Sequence, residues 1–202
     1  MNNTKEKILS AALELFAKDG YEAVSVSMIA GELGITKGAL YKHYKNKRDI
    51  FDSVVSRMSE LDAEYAKAYD MPECTAQEDY EAYGQTSLNN IKTYSKQMFR
   101  HWTEDEFCSN FRKMLTLEQY RSPEMGRLYQ QYLASGPMEY MADVFAEFVG
   151  SKADAVQYAL EFYGAFFLLY SAYDGADDKS SVIQTADRHI DCYIDRIAKM
   201  KE

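Results

Sequence analysis

The chain has 202 residues, of which 47% are hydrophobic and only 3 are Pro and 10 are Gly. This composition excludes a disordered chain and favours a mostly helical globular protein. The formal net charge of -9 argues against a protein whose whole surface attracts nucleic acid.

The charge is unevenly distributed along the chain. Residues 1–50 carry 8 Lys+Arg and 6 Asp+Glu, a net charge of +2, and the remainder carries -11. Because an acidic surface repels nucleic acid, only the N-terminal part is predicted to face DNA.

Several features favour a cytoplasmic protein that does not enter a membrane. Cys74, Cys108 and Cys192 are odd in number and widely spaced, which favours reduced thiols over a disulfide framework and leaves a redox role open. Glu14 interrupts the N-terminal apolar run, so we expect no signal peptide. The longest nearly apolar run, residues 162–173, is shorter than the ~20 residues that cross a bilayer.

Three short helices are predicted near the N-terminus. Apolar residues repeat at helical spacing from Ile8 to Phe16, and Gly20 ends this first helix. A second pattern has apolar residues at 26, 29, 30 and 33, is capped by Ser25 or Ser27, and stops at Gly34. Two short helices joined by a turn with Gly form a helix-turn-helix, whose second helix enters the DNA major groove.

The stretch after Gly34 has an unusual local charge. It contains five basic residues and no acid between positions 36 and 48: Lys37, Lys42, Lys45, Lys47 and Arg48. Leu40 and Tyr44 lie four residues apart and are predicted to face the core. The residues left to face outward are Lys37, Gly38, Tyr41, Lys42 and His43.

Four segments together resemble the signature of the tetracycline-repressor (TetR) family. They are LFAKDGY at 15–21, IA at 29–30, GITKGALY at 34–41 and YKNK at 44–47, in one register over residues 5 to 52. The resemblance implies an all-α protein with an N-terminal three-helix helix-turn-helix DNA-binding domain, residues 1–47. A C-terminal helical ligand-binding and dimerisation domain, residues 48–202, is expected to follow.

The resemblance also implies roles for individual residues. Thr36, Tyr41 and Lys47 match positions that contact phosphates, and Lys37, Gly38 and His43 match positions that face the groove. Ser25 and Ser27 lie where a phosphate approaches a helix N-terminus, although helix capping alone explains them equally well. The predicted DNA-binding residues are Ser25, Ser27, Thr36, Lys37, Gly38, Tyr41, Lys42, His43 and Lys47.

The remainder of the chain also has a helical pattern. Asn46 is a predicted cap for a long fourth helix, and the Thr75–Glu78 and Thr103–Glu106 pairs are predicted capping boxes. A last helix, about 181–200, has apolar residues at alternating spacings of three and four. In the family the last two helices form a homodimer interface, which implies one here through Tyr170, Ile183, Ala186, Ile190, Tyr193 and Ile197. A core within a single chain is the alternative for this stripe.

Aromatic residues concentrate after residue 50. In the family, the helices that carry them enclose a ligand cavity, and an apolar, aromatic pocket suits a small lipophilic effector. The residues that the resemblance implies for this cavity are Met98, Trp102, Phe107, Phe111, Tyr120, Tyr163, Phe166 and Phe167. Plain core is the alternative for each of them, and nearby acids and arginines leave the charge of the effector open.

The sequence has no signature of an enzyme. It lacks a glycine-rich phosphate loop and a nucleophile elbow, and His43, His101 and His189 are scattered, so we expect no catalytic residue, metal or cofactor. The resulting hypothesis is a ligand-responsive transcriptional repressor whose homodimer binds a near-palindromic double-stranded DNA operator and is released by a small-molecule effector. The alternative hypothesis is a protein of the same fold that acts as a protein-interaction adaptor without operator control.

Overall fold

A computed structural model of the protein describes residues 3–69, 71 and 87–199. These residues form ten α-helices and no strand, which confirms the predicted all-α class. In chain order the helices are α1 (Asn3–Asp19), α2 (Val26–Glu32), α3 (Lys37–Tyr41), α4 (Lys47–Ala68), α5 (Leu88–Glu104), α6 (Glu106–Glu118), α7 (Pro123–Leu133), α8 (Ser135–Ala146), α9 (Lys152–Gly175) and α10 (Lys179–Ala198).

The chain divides into two compact units. The first unit is Met1–Asp62 with Asp105–Tyr129, and the second unit is Ala63–Glu104 with Gln130–Glu202. The sequence alone gave no reason to group residues 105–129 with the N-terminal helices, but in the structure α6 packs along α1 and joins them. The division into functional domains after residue 47 stays a prediction.

Each of the two short helices of the first unit begins at a hydroxyl cap. The Ser25 hydroxyl accepts a hydrogen bond from the N–H of Met28 at 3.2 Å, and the Thr36 hydroxyl accepts one from the N–H of Ala39 at 3.1 Å. Ser27 lies inside α2, so Ser25 is the cap. Both caps satisfy N–H groups that a helix start leaves without an intrahelical partner.

The longer α4 begins as predicted. The Asn46 side-chain oxygen accepts from the N–H of Asp49 at 2.9 Å, and a carboxylate oxygen of Asp49 accepts from the N–H of Lys45 at 2.8 Å. Asn46 therefore caps α4, and Asp49 reaches back to the residue before the cap, an arrangement close to a capping box. The predicted capping box at residues 75–78 lies outside the described residues.

The capping box predicted for Thr103 and Glu106 is wrong. Asp105 caps α6, because its carboxylate accepts from the N–H of Cys108 at 2.9 Å. The hydroxyl of Thr103, in the last turn of α5, donates instead to the carbonyl of Phe99 at 2.6 Å. α5 and α6 follow each other with a single residue between them, so position 103 never leaves the helix.

The core of the first unit centres on aromatic contacts. The ring of Tyr21 meets the rings of Phe16 and Phe51 edge-on, with centroids 5.1 Å apart in both cases. Phe16 is 0% exposed and Phe51 is 1% exposed. The other fully buried side chains of this core come from α1, α2, α3, α4 and α6 and include Ile8, Ala12, Ile29, Leu40, Ile50, Val54, Met58, Phe111, Met114 and Leu115.

The second unit is built around α9. This helix packs against α8 and α10, and α5 packs against α9 and α10. Its core includes Ile91, Phe99, Val144, Phe145, Ala159, Phe162, Phe166, Ala186, Ile190 and Ile197. Across the described residues, no helix has the length and apolar character that a membrane crossing requires.

Candidate DNA-binding interface

Helix α3 is anchored to the first unit by the two residues that the sequence assigned to the core. Leu40 is 0% exposed and Tyr44 is 5% exposed, which confirms that assignment. The Tyr44 hydroxyl donates to the carbonyl of Lys5 at 3.5 Å, so this polar group has a partner. Because both anchors lie on one side, the opposite side of α3 is left open to solvent.

The open side carries most of the side chains predicted to face outward. Lys37, Gly38 and Lys42 are exposed, and Tyr41 keeps 44% of its surface exposed. His43 is half-buried, so it is the least accessible residue of the predicted set. The Lys37 ammonium lies 5.7 Å from the centroid of the Tyr41 ring, which places a cation and an aromatic side chain together on this side.

The three predicted hydroxyl contacts are also exposed. Ser25, Ser27 and Thr36 all lie on the surface, at or near the starts of α2 and α3. A hydroxyl that accepts a capping bond still has its own O–H to donate. Capping and phosphate contact are therefore compatible for Ser25 and Thr36.

Lys47 does not have the environment expected of a phosphate contact. Its ammonium donates to the carbonyl of Tyr21 at 2.8 Å and to that of Glu22 at 3.3 Å, and it lies 4.3 Å from the centroid of the Tyr21 ring. Only 22% of the side chain is exposed. In the structure these contacts connect the start of α4 to the turn that joins α1 to α2, and the phosphate contact of Lys47 stays a prediction.

Arg48 is also engaged within the first unit. Its guanidinium donates to both carboxylate oxygens of Glu124, at 2.8 and 2.5 Å, and to Asp52 at 2.7 Å. These hydrogen bonds raise the pKa of Arg48 further above its usual range. Sequence reasoning missed this pair because 76 residues separate its members.

The basic run thus contains two kinds of residue. Lys37, Lys42 and Lys45 form no ion pair with any residue that the structure describes. The charged groups of Lys47 and Arg48 are bonded to other residues of the first unit. We call the three lysines with available charge the free lysines. Ammonium groups of this kind attract duplex phosphates whatever the base sequence.

Gly38 has no structural reason to lack a side chain. A Cβ at this position would have only the hydroxyl oxygen of Thr36 within 4 Å, at 3.9 Å. Glycine costs about 1 kcal/mol relative to Ala inside a helix, so nothing within the chain compensates for it here. Close approach of a partner to the first turn of α3 would account for it.

The residues predicted to line a ligand cavity do not share one environment. Phe107, Phe111 and Tyr120 belong to the first unit, and the other five belong to the second unit. Tyr120 is 92% exposed, which overturns its assignment to an enclosed pocket, because it lies in the turn after α6 where helical spacing no longer sets its direction. Phe167 is 45% exposed as well.

Half of the remaining predicted cavity residues are core. Phe111 is 0% exposed, Phe166 is 3% exposed and Trp102 is 5% exposed, whereas Met98, Phe107 and Tyr163 are half-buried. Phe107 lines a groove of about 380 Å³ in the first unit, between α1, the end of α2 and the start of α6. Their role in ligand binding stays a prediction.

The stripe predicted as a dimer seam is buried within its own chain. Tyr170 and the five residues of α10 are all 8% exposed or less, and Ala186, Ile190 and Ile197 are 0% exposed. The structure therefore corrects the predicted role of the stripe, because α5 and α9 of the same chain cover it. Spacing identified an apolar face but not the helices that cover it.

A different surface of α9 is apolar and exposed. Val156 is 42% exposed, Leu160 is 52% exposed and Leu168 is 72% exposed, and Phe167 lies beside them. These positions recur at helical spacing and fall on one side of α9. We call these four residues the α9 stripe. Sequence reasoning missed it because apolar residues lie on every side of α9 and give little contrast between its sides.

A capped helix-turn-helix with an open, lysine-bearing second helix defines a DNA-binding protein of the helix-turn-helix class. Residues 8–54 match the sequence model of the family described as "Bacterial regulatory proteins, tetR family". The similarity to this family covers the N-terminal quarter of the chain, which holds the helix-turn-helix.

Similar proteins agree with this assignment. The chain is 39% identical over 66 residues to the transcriptional regulator AcrR of Shigella flexneri, a match that covers 31% of each chain. It is 41% identical over 54 residues to the transcriptional repressor BepR of Brucella suis, covering 27% of this chain and 26% of that protein. The chain thus spans less than a third of the length of these curated relatives.

A solved structure extends the likeness to the whole fold. The regulator FadR of Bacillus subtilis, in complex with stearoyl-CoA, superimposes with a TM-score of 0.62 at 18% identity, and covers 94% of this chain and 97% of its own. At this level of identity the likeness concerns the fold alone. It shows that the helices after residue 54 also have counterparts in the fold of that regulator.

Proposed function

We propose that the protein is a ligand-responsive transcriptional repressor that binds a near-palindromic operator as a homodimer. The observation that carries this proposal is the open side of α3, where Lys37, Tyr41 and Lys42 are exposed and no ion pair with a described residue engages either lysine. Phosphate contacts by lysines supply affinity, and side chains at the groove supply sequence discrimination. The proposed site of action is the cytoplasm.

The proposed interface combines both kinds of contact. Ser25, Ser27, Thr36, Lys42 and Lys45 are suited to phosphates, because they are exposed donors around the starts of α2 and α3. Lys37 and Gly38 lie on α3 itself and are suited to the groove, whereas Tyr41 of the same helix is suited to a phosphate. Residues 1–47 would form the DNA-binding domain, and residues 48–202 would form the effector-binding and dimerisation domain.

The proposed homodimer follows from the operator and from the α9 stripe. A helix-turn-helix dimer reads two half-sites about 34–36 Å apart, or a multiple of that distance, in a pseudo-palindromic site. A second copy of the chain is the partner best suited to the α9 stripe, because a twofold interface pairs one patch with the same patch. Apolar side chains as exposed as Leu160 and Leu168 gain stability when they are covered.

The proposed effector is a small lipophilic compound. Support comes from the aromatic side chains of the second unit and from the stearoyl-CoA bound by the FadR of Bacillus subtilis. In the proposed dimer, the distance between the α3 helices of the two copies decides whether both fit the operator. An effector that binds more tightly to a conformation with the wrong distance lowers operator affinity. The loss equals the difference in the effector's binding free energy between the two conformations, typically ~1–3 kcal/mol.

The test is a binding selection of the purified protein from random duplex DNA, repeated with Lys37→Ala and Tyr41→Ala. Lys152→Ala is the matched control, since Lys152 is an exposed lysine of α9 outside the proposed interface. We expect enrichment of a near-palindromic site that both test variants lose and the control keeps. Lys42→Ala, which removes a proposed phosphate contact, should lower the slope of log affinity against log salt by about 1.

A second arm of the selection tests the role of Gly38. Gly38→Ala adds one methyl group into space that the chain leaves open, so folding is retained while close approach of DNA is blocked. Gly31→Ala, at an exposed position of α2 with nothing within 4 Å of its Cβ, is the control. Absence of any enriched site for the wild type would contradict operator binding and favour the adaptor hypothesis.

A further inference from the structure

Glu118 is a buried carboxylate that no proposed DNA contact uses. It is the last residue of α6 and is 1% exposed. Its Oε1 accepts a hydrogen bond from the backbone N–H of Tyr21 at 3.1 Å, and a guanidinium nitrogen of Arg121 lies 3.4 Å from the same oxygen. Burial of a carboxylate is costly unless hydrogen bonds and charge compensate it. Its position is therefore tied to these two partners.

Tyr21 belongs to the turn that joins α1 to α2. The turn is held on its other side by Lys47, whose ammonium donates to the Tyr21 carbonyl at 2.8 Å. One peptide segment thus donates to α6 through its N–H and accepts from α4 through its C=O. The ring of Tyr21 packs between Phe16 and Phe51, which keeps the segment from rotating freely.

The carboxylate of Glu118 occupies the space beside Gly20. A Cβ built on Gly20 would lie 2.6 Å from Oε1 of Glu118, closer than real Cβ atoms come to such a group, so a glycine at this position lets the carboxylate reach the turn. A lengthening of the Tyr21–Glu118 bond by about 0.5 Å takes it beyond hydrogen-bond range, so the turn cannot move away without leaving a buried carboxylate short of a donor.

We propose that Glu118 is a positioning residue for DNA recognition, which sets the orientation of α2 and α3 from α6 through the N–H of Tyr21. A shift of α6 would then either move the turn or break the hydrogen bond between Tyr21 and Glu118. In both cases the starts of α2 and α3 would change position. Because α2 follows the turn after only a few residues, the effect reaches the caps at Ser25 and Thr36 directly. This inference rests on the proposed function, since DNA recognition is what the positioning serves.

Two substitutions separate the effect of side-chain length from the effect of charge at Glu118. Glu118→Gln keeps the length of the side chain and an acceptor oxygen but removes the charge. Glu118→Asp keeps the charge but shortens the side chain by one methylene, which withdraws the oxygen from Tyr21. The control is Met114→Ala, which removes a side chain that is 0% exposed one turn earlier on α6 and costs stability without touching the turn.

The first measurement is amide hydrogen exchange of Tyr21 by NMR in the absence of DNA. We expect Glu118→Asp to accelerate this exchange by about tenfold or more relative to Met114→Ala, and Glu118→Gln to stay near the wild type. Equal Tyr21 exchange in Glu118→Asp and Met114→Ala would overturn the inference. Tyr21 exchange in Glu118→Gln as fast as in Glu118→Asp would also overturn it, because the charge of Glu118 and not its length would then protect the amide.

The second measurement is the Kd for the operator obtained from the selection, under conditions where every variant is folded. We expect Glu118→Asp to bind about tenfold more weakly than Met114→Ala, and Glu118→Gln to bind as the wild type does. An Asp variant that binds as Met114→Ala does would overturn the positioning role. If the wild type selects no operator, the proposed function fails, while the exchange of the Tyr21 amide still decides whether Glu118 holds the turn.

Discussion

Gly20 ends α1 in a backbone conformation that residues with side chains rarely adopt. Its φ of 86° lies in the left-handed region, and its missing Cβ leaves room for Oε1 of Glu118. We predict that Gly20→Ala lowers the free energy of unfolding by roughly 1–2 kcal/mol for the backbone alone, and further because Glu118 must move. Urea denaturation monitored by circular dichroism measures this change.

Gly31→Ala is the control for the Gly20 prediction. Gly31 is helical and exposed, and no atom lies within 4 Å of its Cβ position. Alanine is favoured over glycine inside a helix by about 0.5–1 kcal/mol, so this variant should be slightly more stable than the wild type. Equal effects of the two substitutions would contradict a special role for position 20.

Asp62 makes stability depend on pH. It lies on α4, its Oδ1 is buried with no hydrogen-bond partner among the described residues, and burial raises its pKa to about 7. The folded state therefore holds a proton that the unfolded state, with a pKa near 3.8, releases. Between these two values stability falls as pH rises, by up to about 1.4 kcal/mol per pH unit, and it changes little above the folded pKa.

Replacement of Asp62 tests this pH dependence. Asp62→Asn mimics the protonated form, so it should be more stable than the wild type at pH 8, and by a smaller margin at pH 5, which lies closer to the unfolded pKa. Thermal unfolding at both pH values measures the difference. Glu32→Gln, at an exposed carboxylate of α2, is the control and should change stability by the same amount at both pH values.

The sequence predicted the anchors of α3 better than the roles of its lysines. Leu40 and Tyr44 could be assigned to the core because a spacing of four residues places them on one side of the chain. Lys47 could not be told from Lys37, since both are lysines within one basic run. The difference is that the ammonium of Lys47 meets the Tyr21 carbonyl, which is 26 residues away in sequence.

At the scale of helices, α5 and α10 are joined by a ladder of ion pairs. Lys92, Lys96 and Arg100 are spaced by four residues and meet acids with the same spacing in reverse order, at 2.7 Å to Asp195, 2.7 Å to Asp191 and 2.6 Å to Asp187. The hydrogen bond to Asp187 raises the pKa of Arg100, and that to Lys96 lowers the pKa of Asp191. The ladder fixes the register of α10 on α5.

The Arg100–Asp187 rung is the one with paired hydrogen bonds, at 2.9 and 2.6 Å, and each side chain is 28% exposed. We predict that Arg100→Ala lowers the free energy of unfolding by about 1 kcal/mol at low salt and by less at 1 M salt, where exposed pairs are screened. Urea denaturation at two salt concentrations measures this. The exchanged pair Arg100→Asp with Asp187→Arg should recover part of the loss, and no recovery would contradict an ion-pair origin.

The positions of the helices along the chain could be predicted more fully than the helices against which each one packs. The last helix was expected at about 181–200 and is found at Lys179–Ala198. Its stripe through Ile183, Ile190 and Ile197 was visible as spacing, yet spacing cannot say that α5 and α9 of the same chain cover it. The cap of α6 was assigned to Thr103 rather than Asp105 because both carry an oxygen that can cap a helix, and only the fold decides between them.

At the scale of the whole molecule, the α9 stripe is the proposed dimer interface. We predict that Leu168→Glu converts a dimer into a monomer, because a carboxylate placed at a twofold interface meets its own copy and loses water. Light scattering after size-exclusion chromatography measures the mass. Leu117→Glu, at a leucine of α6 that is 41% exposed, is the control and should leave the mass unchanged. A Leu168→Glu protein that stays dimeric would move the proposed interface away from α9.

The single tryptophan gives the two units different optical signatures. Trp102 is 5% exposed in the second unit, and its ring lies 6.4 Å from that of Tyr132, whereas the first unit has tyrosine but no tryptophan. Emission excited at the indole band therefore follows the second unit alone, while far-ultraviolet dichroism follows the helices of both. Coincident unfolding curves from these two signals would mean that the DNA-reading helices and the rest of the chain unfold as one cooperative system.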